Sequence, residues 1–315
     1  MRIIVHHAFT DAQIDELRDL ANGHEVLVAT TTEEAVRLVA SAEVLVARFT
    51  KEVIEAGRTL RWIQSTSSGV DRFLLPEPCH GDAVLTSMAG VKADQGSEHA
   101  WALLLSLTRG IHLSVQRQQA KQWQGGGPRV VLRGSTLGIV GLGGFGTGMA
   151  RKATGFGMPV LAVDLLRTDR PTGVDELQPA TTENLHALLR RSDAVMIACP
   201  LTRLTQGMIG AAELASMKSS AFLVHVTRGG IIDEQALVQA LVEKRIAGAA
   251  IDVTAEEPLP SDSPLWEAPN LIITSHQAAG SQHGQRQMFE SVRDNLRRYL
   301  AGEPLVNVVD VARGF

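Results

Sequence analysis

Cysteine is nearly missing from this chain, with Cys79 and Cys199 its two thiols. Two scattered thiols frame neither a disulfide scaffold nor a metal cluster, and they suit a reducing interior. Cys199, inside Val195-Met-Ile-Ala-Cys-Pro200, reads as strand filling. An excess of positive charge is also missing: the formal net charge is -4, which leaves no electrostatic footprint for nucleic acid or an anionic membrane. No apolar run approaches the length of a membrane span. The strand-like Met1-Arg-Ile-Ile-Val5 runs straight into His6 and His7, without the long apolar region of a signal peptide. Internal repeats and low-complexity tracts are absent too. These exclusions lead us to expect a soluble cytoplasmic protein with no nucleic-acid or membrane partner. What remains is 315 residues, 44% apolar and 20% charged, an ordinary globular composition long enough for about two domains.

The most informative feature present is Gly141-Leu-Gly-Gly-Phe-Gly146. It follows the apolar run Leu137-Gly-Ile-Val140, precedes a helix-compatible stretch, and lies eighteen residues before Asp164 at the end of Val160-Leu-Ala-Val-Asp164. A dinucleotide cradle needs this spacing for physical reasons. Gly141 permits the tight strand-to-helix turn, Gly143 lets backbone approach a pyrophosphate, and Gly146 allows the helix to pack closely on the strand. The helix N-terminus then faces the phosphates. Asp164 would accept hydrogen bonds from the adenosine ribose, which favours NAD because its charge opposes a 2'-phosphate. Arg167 and Arg170 close behind keep NADP open.

The first part of the chain alternates strand-like runs at 3–5, 26–28 and 44–46 with helical stretches at 11–21, 32–40 and 51–56. This rhythm implies a parallel sheet covered by helices. A second series of strands is expected at 137–140, 160–163, 194–198, 222–226, 249–253 and 271–273. The expected fold is therefore α/β, with two doubly wound parallel-sheet domains and a cleft between them. One is a Rossmann NAD-binding domain over 97–282; the other is a flavodoxin-like substrate domain formed by 1–96 with 283–315. The stretch from Ser97 to Thr108 is apolar around much of its helical circumference, so it needs burial on several sides. A homodimer contact through the nucleotide domain and an internal crossing helix serve equally on periodicity alone. Gln122-Trp-Gln-Gly-Gly-Gly-Pro128 has loop chemistry, and 285–300 is amphipathic through Met288, Phe289, Val292, Leu296 and Tyr299. Trp62, Trp101, Trp123 and Trp266 read as packing residues. No spacing of His, Cys and carboxylates marks a zinc site.

Three polar residues lie just past strand-like runs: Arg228 in His225-Val-Thr-Arg-Gly-Gly, Glu257 in Ala255-Glu-Glu-Pro258, and His276 in Thr274-Ser-His. Each is expected at the carboxyl edge of the sheet, where doubly wound folds bind ligands. Together with Arg133-Gly-Ser-Thr-Leu-Gly-Ile-Val-Gly-Leu-Gly143, Thr227-Arg-Gly-Gly-Ile-Ile-Asp-Glu-Gln-Ala-Leu237, Gly248-Ala-Ala-Ile-Asp-Val253 and Gly302-Glu-Pro-Leu-Val-Asn307, they make the chain resemble the D-isomer-specific 2-hydroxyacid dehydrogenases. The N-terminal third matches more loosely, through Trp62-Ile-Gln-Ser-Thr-Ser-Ser-Gly-Val-Asp71 and Ser97-Glu-His99.

The resemblance implies hydride transfer between NAD, or NADP, and C2 of a small 2-oxo or 2-hydroxy acid such as glyoxylate, hydroxypyruvate or pyruvate. His276 would be the general acid/base, Glu257 would favour its imidazolium, and Arg228 would bind the substrate carboxylate with its planar fork. Glu257, directly before Pro258, fits the pattern better than Glu256. Backbone amides at Ser68, Gly69 and Val70 would complete the carboxylate site. Phe145, Pro200, Thr205, Val226 and Thr227 join the glycines and Asp164 as cofactor contacts, and Asp252 either meets the nicotinamide carboxamide or simply ends a strand. Arg48, on a loop expected to meet the substrate's side chain, is either a reader of an acidic tail or a surface arginine. The chain departs from the family pattern at His225, Ser275 and Ala279, and His225 is expected to add a titrating group near the nicotinamide. A nucleotide-sensing protein or corepressor on the same scaffold is the competing reading. Retention of Arg228, Glu257 and His276 together weighs against it.

Overall fold

Runs of β-branched and aliphatic residues build the first strands, and threonine caps start the helices between them. The computed structural model describes residues 1–74 and 82–315, so Cys79 lies outside the described residues. Along the chain come β1 (Arg2–His6), α1 (Asp11–Leu20), β2 (Glu25–Val28), α2 (Thr32–Val39), β3 (Val44–Ala47), α3 (Lys51–Ala56), β4 (Trp62–Ser65), the single turn α4 (Asp71–Leu74) and β5 (Val84–Thr86). Thr10 caps α1 by accepting from the Gln13 amide while the Gln13 side chain reaches back, and Thr31 caps α2 through the Glu34 amide.

After these follow α5 (Ala93–Thr108), α6 (Ile111–Gln119), β6 (Leu137–Val140), α7 (Gly144–Phe156), β7 (Val160–Asp164), β8 (Glu176–Pro179), α8 (Thr182–Arg191), β9 (Ala194–Ile197), α9 (Ala211–Ser216), β10 (Phe222–His225), α10 (Glu234–Val242), β11 (Gly248–Ile251), β12 (Leu271–Ile273) and α11 (Gly284–Ala301). The chain divides into two compact units, one of Met1–Lys92 with Ser281–Phe315 and one of Ala93–Gly280.

The first unit's sheet is parallel, in the order β2-β1-β3-β4-β5, the flavodoxin-like order of a doubly wound fold. Alternation along its strands buries both faces. Ile4, Leu45 and Ile63 enter one cluster with Val39, Val53 and Ile54. Ile3, Val5, Val44, Val46 and Trp62 enter another with Ile14, Leu17 and the α11 residues Met288, Phe289, Val292 and Leu296. The second unit's sheet is also parallel throughout, in the order β12-β11-β10-β9-β6-β7-β8. Counted from β6, this is the Rossmann order with one further strand beyond β11.

Three strands were not legible as strands. β4 is read in the sequence only as a matching fragment, β5 is three residues long, and β8 is a polar edge strand of Glu-Leu-Gln-Pro that lacks the apolar signal. Cys199 lies beyond the end of β9 rather than inside a strand, buried against the turn at Gly141.

Helix α5 resolves its own ambiguity. Ala100, Trp101, Leu104 and Leu107 join the second unit's core with Leu137, Met149 and Val224, so it is an internal crossing helix. Trp101 stacks on Phe156 with ring centres 4.4 Å apart, and Trp62 on Tyr299 at 5.0 Å. The expectation that all four tryptophans pack is corrected at the other two: Trp123 is fully exposed and Trp266 half-exposed. Trp123 lies in the loop after α6, and Trp266 in the short 3-10 turn Pro264–Glu267, where its Nε1 donates to the Pro260 carbonyl at 2.8 Å.

Candidate active site

The glycine turn sits between β6 and α7, beside the β6/β9 boundary at which the strand order reverses. Doubly wound sheets bind ligands at this point. Gly141 has φ +94°, and a Cβ there would lie 2.7 Å from the Cys199 amide nitrogen. A Cβ on Gly146 would lie 1.9 Å from the Gly141 carbonyl oxygen, so any side chain would pry α7 off the strand. Gly143 faces open space instead, with nothing within 4 Å of such an atom. Two glycines thus close the turn and the third leaves backbone accessible at a helix N-terminus, which fits a pyrophosphate. The Phe145 ring turns away over Gly96 of α5.

A pocket of ≈ 510 Å³ opens here, lined by Leu142, Gly143, Gly144, Thr147, Arg151 and Arg167 among others. Asp164 reaches its edge from the tip of β7. One carboxylate oxygen accepts from the Leu142 amide at 2.6 Å and the other from the amides of Leu166 and Arg167, both at 2.8 Å. Arg167 donates to Leu142 O and Thr147 Oγ1, each at 3.0 Å, and pairs with Asp169. Arg170 donates to the Asp175 carbonyl at 2.5 Å. The Thr205 hydroxyl donates to Pro200 O at 2.7 Å and accepts from the Thr202 amide, closing the turn after β9. Burial pushes the Cys199 thiol up to about 12, with the Asp164 charge adding to the effect, so the thiol stays protonated.

Strands β10, β11 and β12 are adjacent and in register, His225 beside Ile251 and Ile251 beside Ile273. Their carboxyl ends therefore deliver Arg228, Glu257 and His276 to one edge of one sheet. The structure brings all three together. His276 Nδ1 lies 2.7 Å from Glu257 Oε2, and its Nε2 lies 3.2 Å from Arg228 Nη1. A guanidinium has only donors, so Nε2 accepts and Nδ1–H donates to the carboxylate. This fixes the tautomer, with the lone pair on the ring nitrogen that faces Arg228. Glu257 is itself held by the Thr254 amide at 3.2 Å, and the exposed Glu256 has its carbonyl tied to the Thr254 hydroxyl.

His276 has φ +50°, in a region that costs a non-glycine residue free energy unless its surroundings impose it. Asp252 imposes it. Its carbonyl accepts from the His276 amide at 2.7 Å, and its carboxylate accepts from the Thr274 hydroxyl at 2.5 Å and the amides of Gln277 and Ala278 at 3.0 and 2.8 Å. His99 Nε2 on α5 closes the cluster, 3.0 Å from Thr274 Oγ1 and 3.3 Å from Asp252 Oδ1. Burial alone would raise the Asp252 carboxyl, but His99, Thr274 and the two amides outweigh it and hold it below the usual range. At 1% exposure, Asp252 is an anchor for the turn carrying His276. Neither reading of Asp252 from sequence includes this clamp, and Thr274 was missed with it. The only signal for His99 was its place in the matched fragment Ser97-Glu-His99.

Val226 is buried, and Thr227 Oγ1 lies 3.3 Å from His225 Nε2. The expectation that His225 titrates near neutrality is corrected. It is 2% exposed, and burial pushes it down to about 3 against the opposing pull of Asp252, so the ring is neutral at pH 7. In the first unit, Ser68, Gly69 and Val70 form the turn after β4. The Ser68 hydroxyl donates to Met88 O at 3.0 Å and Val70 is buried, so what this turn can offer a ligand is backbone.

Comparison with known proteins bears directly on this arrangement. Residues 101–278 match the profile of the D-isomer specific 2-hydroxyacid dehydrogenase, NAD binding domain, a span that includes the glycine turn and the whole strand-end trio. The chain belongs to the D-isomer specific 2-hydroxyacid dehydrogenase family. The glyoxylate reductase of Korarchaeum cryptofilum is 35% identical over 82% of this chain and 79% of its own length. Among solved structures, a family member from Aeromonas salmonicida superposes with a TM-score of 0.84 at 31% identity, covering 98% of this chain and 99% of that one. The NADPH-dependent glyoxylate/hydroxypyruvate reductase of Sinorhizobium meliloti, solved with NADP and sulfate, gives 0.85 at 26%, covering 100% and 99%. As a 2-hydroxyacid dehydrogenase, the chain is an oxidoreductase with a nicotinamide-nucleotide domain. Among the described residues no helix is long and apolar enough to cross a membrane.

Proposed function

We propose that this dehydrogenase reduces a small 2-oxo acid to its D-2-hydroxy acid with NADH, using His276 as the general acid. The reading is carried by one observation, the contact of a single imidazole with Glu257 on one nitrogen and Arg228 on the other. Arg228 Nη1 donates to His276 Nε2 in the resting arrangement; a 2-oxo acid offers better acceptors for the same donors, its carboxylate and carbonyl oxygens. Once the guanidinium turns to them, Nε2 is released to carry a proton, and Glu257 balances the charge of the resulting imidazolium. The proton then goes from Nε2 to the carbonyl oxygen as C2 gains its hydride. A nicotinamide nucleotide held by the glycine turn would supply that hydride. The first unit offers backbone amides at Ser68, Gly69 and Val70 as donors to an anionic ligand, and Pro200, Val226, Thr227 and Asp252 would lie toward the nicotinamide.

Asp164 supports NAD over NADP: its charge stands at the ribose end of the turn, Arg167 is paired with Asp169, and Arg170 is spent on a backbone carbonyl. Glyoxylate, pyruvate and hydroxypyruvate, each followed by loss of NADH and NADPH absorbance, test both parts. The expected result is turnover at least tenfold more efficient with NADH. No turnover on any 2-oxo acid overturns the reaction, and preference for NADPH overturns the cofactor.

The working form is a homodimer made through the nucleotide domain, in the cytoplasm. Helix α6, rather than α5, supplies the surface. It has no buried residue, Ile111 and Val115 on it are half-exposed, and Trp123 and Val131 follow it exposed. Arg117 donates to the carbonyls of Gln124 and Gly126, folding the loop back on the helix. An apolar surface of this kind on a globular unit marks an interface. Sedimentation is expected to give twice the 33.8 kDa chain mass, and Val131→Asp with Trp123→Ser to give the monomer; a monomeric parent overturns it.

A further inference from the structure

Helix α5 lays one face into the second unit's core, where Ala100, Leu103, Leu104 and Leu107 pack with Leu137, Val224 and Ala250. His99 stands one turn before Leu103, so the helical period sets it at the margin of that face, and α5 packs on β10 and β11. The His99 side chain is 20% exposed, with Nε2 3.0 Å from Thr274 Oγ1 and 3.3 Å from Asp252 Oδ1. The Thr274 hydroxyl gives its proton to the Asp252 carboxylate at 2.5 Å. Its oxygen can therefore only accept from the ring, and His99 Nε2–H donates to both oxygens together.

The other donors to the Asp252 carboxylate among the described residues are the Thr274 hydroxyl and the amides of Gln277 and Ala278. All three belong to the turn that carries His276, and they hold that turn against the end of β11. His99 comes instead from a core helix of sixteen residues, so its bond braces the turn against the unit's rigid interior. Burial works against the charge on Asp252, and among the groups that keep it ionised His99 acts most strongly. A buried carboxylate that loses its main donor moves or takes up a proton. Either change reaches His276, whose amide donates to the Asp252 carbonyl at 2.7 Å and whose φ is +50°. A non-glycine residue keeps such a backbone only while its surroundings impose it, so a slack clamp shifts the imidazole away from Arg228 and Glu257.

We propose that His99 is a positioning residue for the reduction, setting the place of His276 through Asp252 and Thr274 rather than acting on the substrate. This rests on the 2-oxo acid reduction proposed above and adds to it a residue outside the strand-end trio.

Two replacements without a donor, His99→Leu and His99→Phe, are compared with His99→Gln, whose Nε2 can take the place of the ring nitrogen. With NADH and glyoxylate, pyruvate or hydroxypyruvate, kcat is referred to NADH-binding sites counted by fluorescence quenching, so that loss of folded protein does not enter. Leucine and phenylalanine are each expected to lower kcat by about tenfold or more, with both KM values within about threefold, and glutamine to restore most of the loss. Thr274→Val combined with His99→Leu is expected to cost little more than the worse single change, since both act through one carboxylate. A second readout needs no turnover: in ¹⁵N-histidine spectra, with the His276 signals assigned by their loss in His276→Ala, those signals move in His99→Leu and His99→Phe and stay in place in His99→Gln. A kcat that neither donorless variant lowers, or a loss that glutamine leaves unrestored, overturns the positioning role while the reaction stands. If the parent reduces no 2-oxo acid, the reaction fails instead, and the His276 signals alone decide; their staying in place in both donorless variants overturns the brace.

Discussion

Replacing His276 by alanine is expected to lower kcat about 10²–10⁴-fold while the affinity for NADH, read by quenching of protein fluorescence, stays within a factor of about two. The loss corresponds to about 3–5 kcal/mol of transition-state stabilisation. It has this size because the imidazole both contacts Arg228 and is backed by a carboxylate, at 3.2 and 2.7 Å. Without it the carbonyl oxygen must take its proton from water. Cofactor binding survives because the glycine turn follows β6, two strands away in the same sheet from β10, at whose end Arg228 stands. Glu257→Gln keeps a hydrogen bond to Nδ1 but no longer balances the imidazolium, so its loss is expected to be smaller and concentrated in kcat. The same variants separate an enzyme from a nucleotide sensor. A sensor has no turnover for His276→Ala to remove, so a parent that binds NADH yet reduces no 2-oxo acid defeats the catalytic reading.

Stability is expected to fall as pH drops from about 6.5 toward about 3, by on the order of 1.4 kcal/mol per pH unit from His225 alone. The sign follows from proton counts. Folded His225 is neutral until about pH 3, whereas in the unfolded chain it takes a proton near its ordinary 6.5. Between those values the unfolded state binds one more proton, so acid favours unfolding, and the accumulated difference approaches on the order of 4 kcal/mol at the low end. Asp252 acts in a separate window. Its carboxyl is held below the ordinary 3.8, so the stability it contributes is full above 3.8 and is lost as pH falls through its folded value. Urea unfolding of the parent and His225→Asn at pH 7.5, 6, 5 and 4 isolates the first effect. Asparagine does not titrate, and the difference between the two proteins should change by about 1.4 kcal/mol per unit below pH 6. Parallel stability curves would show that the ring is protonated in the folded protein and that the burial argument is wrong.

Much of this protein was determined by short-range rules that a sequence displays. The two parallel sheets, the glycine turn and the strand-end positions of Arg228, Glu257 and His276 follow from period-two apolar runs, from glycines where a Cβ would meet backbone at 1.9 or 2.7 Å, and from residues three to six places beyond a strand. Family membership was legible for the same reason, since these motifs are contiguous. What only the tertiary structure decided depends on groups far apart in the chain and on burial. The clamp of His99, Asp252 and Thr274 spans 175 residues, and no local pattern marks it. His225 looked like a titrating group until its solvent was removed. Helix α5, apolar all round, could have faced a partner or a core; packing chose the core and left α6 exposed. Local sequence dictates backbone and motif, but proton affinity and hydrogen-bond satisfaction are set by what the fold places around each group.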